Sequence, residues 1–473
     1  MSRDAAIAIA LGRFDDGTLF ADLARRVAIP STLQDAALRG EVRRYLAEEI
    51  APTLERLGYA CALHDNPDSA DTSGAPLLLA LRHEDDARPT VLTYAHGDVV
   101  RGQDERWHAG RGPWTLHAEG ERWYGRGTAD NKGQHTVNLA ALAAVLETRG
   151  RLGFNSVVLM EGSEEVGSPG LRAFAEAQAA ALAADLLIAS DGPRLTPERP
   201  TLFLGSRGAM NFRLRVRLRE GAHHSGNWGG LIANAGTRLA NAIAALIGPK
   251  GEIRVPALKP AAIPDEVREA LVGCTVGAGP DGPAVEPDWG EPGLSPAERV
   301  FGWNALEVLA FRTGDPDAPV NAIPPAAEAV CQIRFTVDRE PDSFLPAIRS
   351  HLDKHGFTDV EAVQDAGDFT MRASRLSPRH PWVRWAAASI ERSTGKLPMV
   401  LPNIGGSLPN DIFAELLGLP TLWVPHSYAG CSQHAPDEHA LAPVLREGLQ
   451  AMTGLFWDLG ELSGRAPEGE AAD

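Results

Sequence analysis

Glu161-Gly-Ser-Glu164-Glu165-Val-Gly167-Ser168 follows the apolar, β-rich run Ser156-Val-Val-Leu-Met160 and precedes a helical segment starting near Pro169. Its carboxylates therefore fall where a buried strand ends, the place at which open α/β sheets carry their chemistry. Adjacent carboxylates in extended backbone face different ways, so one can hold a metal ion while its neighbour addresses a water on that ion. The competing reading is an acidic helix start, with Ser163 as N-cap and both glutamates facing the positive end of the helix dipole.

Composition narrows the function classes. The 473 residues are enough for two compact units. With 45 basic and 62 acidic side chains the net charge is −17, which opposes binding to nucleic acid or anionic membranes. The opening Met1-Ser-Arg-Asp-Ala-Ala has neither the basic start nor the apolar core of a secretory signal, and no apolar run approaches membrane-spanning length. A cytoplasmic location is expected. Cys61, Cys274, Cys331 and Cys431 stand far apart without a CxxC pair, so reduced thiols that serve packing are expected.

Outward from the central stretch, other strand ends carry similar chemistry. A helical pattern over 35–57 leads to strands at Leu77-Leu-Leu-Ala-Leu81 and Thr90-Val-Leu-Thr-Tyr94. His96-Gly-Asp98 follows directly, and Asp98 can hold one imidazole nitrogen or be held by nearby backbone. Gly125-Arg-Gly127-Thr-Ala-Asp130-Asn-Lys132-Gly133 delivers Asp130 into an Ala/Leu-rich helix over 134–147. Its spacing is not that of a phosphate loop, and its acid would repel phosphate. Asp185-Leu-Leu-Ile-Ala-Ser190 ends in Asp191, repeating the pattern of an acid at a strand end.

From about Leu202 the texture changes. Phe212-Arg-Leu-Arg-Val-Arg-Leu-Arg219 alternates apolar and basic residues, as does Ala329 to Val337, which is the signature of strands with one wet face. His223-His224-Ser225, helices over 231–246 and 343–354, a Pro/Gly-rich loop over 273–296 and a strand over 358–363 lie in the same region. After about Pro378 the first texture returns, with helix, the stretch Gly405-Gly406-Ser407, a strand over 421–424, His434-Ala-Pro-Asp-Glu438, a closing helix over 442–459 and a polar tail. The expected fold is α/β. A discontinuous catalytic domain (1–201 and 378–473) has a mixed, mainly parallel sheet flanked by helices, and an inserted α+β domain (202–377) has a four-stranded antiparallel sheet with two helices.

His96, Asp130, Glu165, Asp191 and His434 offer two imidazoles and three carboxylates, a donor set suited to a pair of divalent ions, zinc first and manganese or cobalt next. At these motifs the chain resembles the co-catalytic di-zinc metallopeptidases that include carnosine dipeptidases, bacterial dipeptidases, aminoacylases, glutamate carboxypeptidases and succinyl-diaminopimelate desuccinylases. The resemblance implies His96 and Asp191 on one ion, Glu165 and His434 on the other, Asp130 bridging, and Glu164 as general base. It further implies that the insertion is a lid that dimerises, that His224 reaches the partner subunit's site as an oxyanion donor, and that Asn321, Arg334, Gly405, Gly406 and Ser407 grip the substrate's carboxylate. The plain alternative for Arg334 is a solvent-facing strand residue beside Arg339.

Family dipeptidases tend to have aspartate where Asp191 stands, and deacylases glutamate, so dipeptides or small peptides are the expected substrates. The alternatives are an N-acyl or N-carbamoyl amino acid hydrolase with the same chemistry, a catalytically silent scaffold dimer, and a two-metal phosphoesterase, which the acidic composition disfavours.

Overall fold

Leu77–Arg82, Thr90–His96, Asn155–Glu161 and Leu186–Ala189 are buried over most of their length because helices cover both faces of the sheet they form. The computed structural model describes residues 2–68, 75–277, 284–365 and 368–467; residues 278–283 of the expected 273–296 loop and 468–473 of the expected tail lie outside the described residues. The large sheet has eight strands in the order Ala60–His64, Leu77–Arg82, Asn155–Glu161, Thr90–His96, Leu186–Ala189, Thr421–Trp423, Thr201–Phe203, Met399–Leu401. The central four, from Asn155–Glu161 to Thr421–Trp423, run parallel, so their carboxyl ends open on the same side. Antiparallel pairs flank them.

Successive strand residues feed opposite cores. Leu78, Val158 and Ile188 pack with Ala6, Leu23, Val137 and Leu455, from helices Arg3–Asp15, Thr18–Val27, Lys132–Arg149 and Ala442–Leu459. Leu77, Leu159 and Leu187 pack with Phe174, Val267, Phe301 and Phe413 on the other face. The two N-terminal helices were not anticipated from the sequence. Thr18–Val27 buries Leu19, Leu23 and Val27 on one face but is only 10 residues long.

The second sheet is antiparallel. Gly208–Arg217 pairs with Ala326–Phe335, Val360–Val363 and Thr370–Met371, and Ala305–Thr313 adds an outer edge beyond Ala326–Phe335. Phe212, Leu214 and Ile333 face Leu239 and Ile348 from helices Ala235–Leu246 and Phe344–Lys354. The wet face is a charge ladder in which Arg213 and Arg215 meet Glu328 and Asp365.

Three expectations are corrected here. Among the described residues the sheet has five strands rather than four, because the two-residue strand Thr370–Met371, too short to show an alternation, pairs with Gly208–Arg217 beyond Val360–Val363. The insertion begins after 202, since Thr201–Phe203 is a strand of the large sheet. It is also not wholly separate: Asp265–Ala270 and Pro296–Phe301 set Val267 and Phe301 into the large sheet's second core, covering apolar surface that would otherwise face water.

Ile188 is fully buried, whereas Leu397 is 55% exposed. Ile188→Ala should cost about 2–5 kcal/mol in urea unfolding, and Leu397→Ala should stay within about 0.5 kcal/mol. Equal losses would contradict this assignment of the core.

Candidate metal centre

His96 is the last residue of Thr90–His96, Asp191 follows Leu186–Ala189, and Glu164 and Glu165 sit in a single turn after Asn155–Glu161. Three neighbouring parallel strands thus deliver four acidic or imidazole groups to one end of the sheet. Asp130 arrives from the loop that opens Lys132–Arg149, and His434 from the loop before His439–Leu441. Nε2 of His96 stands 2.8 Å from Asp130 Oδ1 and 3.5 Å from Asp191 Oδ2. Nε2 of His434 stands 3.2 Å from Asp130 Oδ2 and 3.1 Å from Glu165 Oε2. One triad is His96, Asp130 and Asp191; the other is Asp130, Glu165 and His434; within each the ligand atoms lie within 4.8 Å of one another. Asp130 belongs to both.

The acidic-helix-start reading does not hold. The turn Glu164–Val166 stops at Gly167, the next helix begins only at Leu171, and the buried Ser163 hydroxyl makes no capping bond. Asp98 acts through both its backbone and its side chain. Its carbonyl oxygen accepts from His96 Nδ1 at 3.0 Å, which leaves Nε2 as the nitrogen facing Asp130. Its carboxylate accepts the backbone N–H groups of Glu164 and Glu165, at 3.1 and 3.0 Å, and so fastens the paired-glutamate turn to the His96 strand.

Glu438 does the same for Asp130. One of its oxygens accepts from the backbone N–H groups of Gly127, Ala129 and Asp130, at 3.0, 2.9 and 3.2 Å, while the other meets buried Arg126 at 2.7 Å. The sequence places Glu438 in the His434 motif without revealing this role, because an acceptor for three backbone donors has no pattern of its own. Asn131 donates to the Ser190 carbonyl at 2.8 Å, and Ser190 meets His426 Nε2 at 3.1 Å. This serine–histidine pair is fully enclosed, so it buttresses Asp191 and is not a nucleophile.

The donor set fits divalent cations. Burial raises Glu164 well above the usual carboxylate range and Glu165 to about 7, with neighbouring carboxylates adding to both. Against the opposing effect of burial, hydrogen bonds from His434 and His96 hold Asp130 low. Bonds to Asp130 and Glu165 push His434 up to about 11. Among the described residues, Oε1 of Glu165 is buried without a hydrogen-bond partner. Four crowded carboxyl groups with a vacant lone pair are what a pair of cations would satisfy.

Asp130, Glu164, Asp191 and His434 line a cavity of about 1100 Å³, whose wall also includes Gly405, Gly406 and Ser407. Ser407 Oγ accepts from Arg334 Nη1 at 2.7 Å, and the Gly405 carbonyl accepts from buried Arg207 Nε at 2.9 Å. Arg334 thus reaches the cavity through Ser407, with Arg207, which the sequence did not single out, beside it. Elsewhere His224 and Asn321 form a small exposed ladder: His224 pairs with Ala322, and Ser225 N donates to the Asn321 carbonyl at 2.9 Å. Neither lines the cavity. Cys431 is buried against Ala129 and Tyr428 as a packing residue.

The sequence profile of peptidase family M20/M25/M40 matches residues 92–458. The chain belongs to that family. Among M20 relatives it is 31% identical over 383 residues to a cysteinylglycine-S-conjugate dipeptidase of Corynebacterium striatum, covering 77% of this chain and 78% of the relative. It is 30% identical over 454 residues to the human β-Ala-His dipeptidase, covering 90% of this chain and 86% of the relative. The crystal structure of human carnosine dipeptidase 1 superposes with a TM-score of 0.77 at 21% identity, covering 97% of this chain and 99% of that one, a likeness of fold.

Behind the M20 centre, Glu161 Oε1 accepts from Ser168 Oγ at 2.8 Å and from Tyr94 Oη. Burial, with Asp98's charge adding to it, pushes Glu161 up to about 7 despite those bonds. Because its folded value is raised above the ordinary 4.5, its contribution to stability is full below pH 4.5 and is lost as pH rises through about 7. For the chelator-treated protein, thermal unfolding should weaken over that window. The slope should be shallower in Glu161→Gln, and an identical slope would remove Glu161 as a cause.

Proposed function

We propose that this chain, an M20-family metallopeptidase, hydrolyses the amide bond of dipeptides or similar small peptides at two divalent ions, zinc first. The observation that carries the reading is Asp130 standing at the junction of two ligand triads, with Glu164 on the wall of the same cavity. His96 and Asp191 would hold one ion, Glu165 and His434 the other, and Asp130 both. When bound, such a pair polarises the scissile carbonyl and acidifies a shared water. Glu164 receives that water's proton and passes it to the departing amine, a task suited to a carboxyl whose affinity for protons burial has raised. Asp98 keeps His96 and the glutamate turn in register.

Substrate orientation would come from Arg334 and the Gly405-Gly406 backbone, whose donors suit a planar carboxylate, with Ser407 holding Arg334 in place and Asn321 contributed from the insertion. Dipeptides are favoured by the names of the two relatives and by aspartate at position 191. Full-length protein should lose activity to a chelator and regain it with zinc, and should cleave free dipeptides in preference to N-acetyl amino acids. Activity confined to the acyl substrates would reverse the substrate assignment. Glu164→Gln should lower kcat by about 10²–10⁴-fold with metal content unchanged, and undiminished turnover would remove Glu164 from the reaction.

The insertion would also join two copies. Its outer strand Ala305–Thr313 leaves one edge unpaired among the described residues and exposes Leu309 and Phe311, while His224 sits exposed nearby in sequence to Leu231 and Trp228, also exposed. Pairing of two such edges would bring His224 to the partner's cavity as oxyanion donor, in a reaction where one such donor is worth about 3 kcal/mol. Leu309→Arg should give a monomer by light scattering that binds metal and has lost turnover. A verified monomer with full activity would refute the shared site.

A further inference from the structure

Residues 29–34, Ile-Pro-Ser-Thr-Leu-Gln, lie ahead of the family-matched region and contribute no ligand. They leave helix Thr18–Val27 in two tight turns, Ser31 N to Ile29 O and Thr32 N to Pro30 O, both 2.8 Å, and Ser31 and Thr32 are completely buried. Every loop that brings an imidazole or acid to the shared carboxylate, except those of Asp191 and His434, is tied to this short segment. Ser31 Oγ donates to the Gly97 carbonyl at 2.7 Å and Ser31 O accepts from Val99 N at 2.9 Å, on either side of Asp98 and directly after His96. The Ile29 carbonyl accepts from Lys132 Nζ at 2.6 Å, two residues beyond Asp130, and that ammonium is fully buried with a second bond to Arg26 O at 2.9 Å. Gln34 accepts from Arg101 N at 3.2 Å through Oε1 and donates to the Glu165 carbonyl at 3.4 Å through Nε2.

Asp98 fastens the glutamate turn to the His96 strand and Glu438 gathers the Asp130 loop, but neither side chain bonds to all three loops. The loops leave the sheet where ladder bonds stop, so their backbone groups need partners from elsewhere. A buried segment that satisfies one loop after another joins the Asp130 loop to the two that Asp98 already couples. We propose that residues 29–34 are a positioning strap: they set the spacing of the His96, Asp130 and Glu165 loops, so that divalent-ion affinity depends on a segment that touches no ion. The inference rests on the two-metal reading above.

The test is zinc affinity of the full-length, chelator-treated protein, measured by competition with a chromophoric chelator. Ser31→Ala should bind zinc about 10–100-fold more weakly, the range seen when groups that orient ligands are removed, and should recover kcat to within a few-fold at saturating zinc. Gln34→Ala, at a part-exposed position, should weaken binding by roughly 3-fold, as for one modest hydrogen bond, and it decides the matter if Ser31→Ala does not fold. Thr453→Ala removes an equally buried hydroxyl bond, to Leu449 O at 2.7 Å on the closing helix, and should leave affinity unchanged. The strap is overturned if both strap variants stay within twofold of wild type, or if Thr453→Ala weakens zinc as much. A wild-type chain that binds no zinc overturns the two-metal reading and the strap together, whereas wild-type binding with unaffected variants overturns the strap alone.

Discussion

Asp130 has to accept two imidazoles at once while three further carboxyl groups crowd around it. Charges within 4.8 Å of one another, as in each triad, interact by at least on the order of 3 kcal/mol at an effective dielectric constant near 20, and burial adds a desolvation cost to each ionised carboxyl. An arrangement so unfavourable for an ion-free protein persists only where the surrounding structure holds it. Raised proton affinity at Glu161, Glu164 and Glu165 beside a depressed value at Asp130 is the signature of that tension. It is relieved by protons in one state and by cations in another.

The surrounding structure meets this demand with single acceptors that each serve several donors. Asp98 ties the His96 strand to the glutamate turn, Glu438 collects three N–H groups of the Asp130 loop, and the buried Arg126 balances Glu438. Charge-assisted bonds of this kind are stronger than neutral ones, and in a dry interior removing one partner leaves the other stranded. The rigid frame behind them is the parallel centre of the large sheet, which aims its strand ends at one point, while helix Lys132–Arg149, buried along most of its length, fixes where Asp130 enters. The second sheet turns its charged ladder and exposed edge outward, and Val267 and Phe301, from the same part of the chain, pack into the large sheet's core.

Much of this was legible in the chain. Alternating residues announced Gly208–Arg217 and Ala326–Phe335, continuous apolar runs announced the central strands, and the closing helix was read to its observed ends at Ala442–Leu459. The proposed ligand set was legible because each member follows a strand or opens a helix within a motif of recognisable residues. What escaped had no periodic signal: a bulged edge strand at Ala305–Thr313, short helices on either side of a Pro/Gly-rich stretch, and two N-terminal helices. Arg207, Glu438 and Ser31 escaped for a different reason. Each works on a backbone carbonyl or amide far away in sequence, and every residue other than proline carries the same two groups.

By itself, then, the sequence determined the chemistry: which imidazoles and carboxylates exist, which elements carry them, and that the chain is an M20 peptidase in which Asp130 stands among them. Only the tertiary structure decided that Asp130 meets both histidines, that Asp98 works through its carbonyl as well as its carboxylate, and that residues 29–34 reach three separate loops. The reason is physical. Side-chain type and spacing are written along the chain, but the partner of a backbone group is chosen by whatever folding brings within about 3 Å of it.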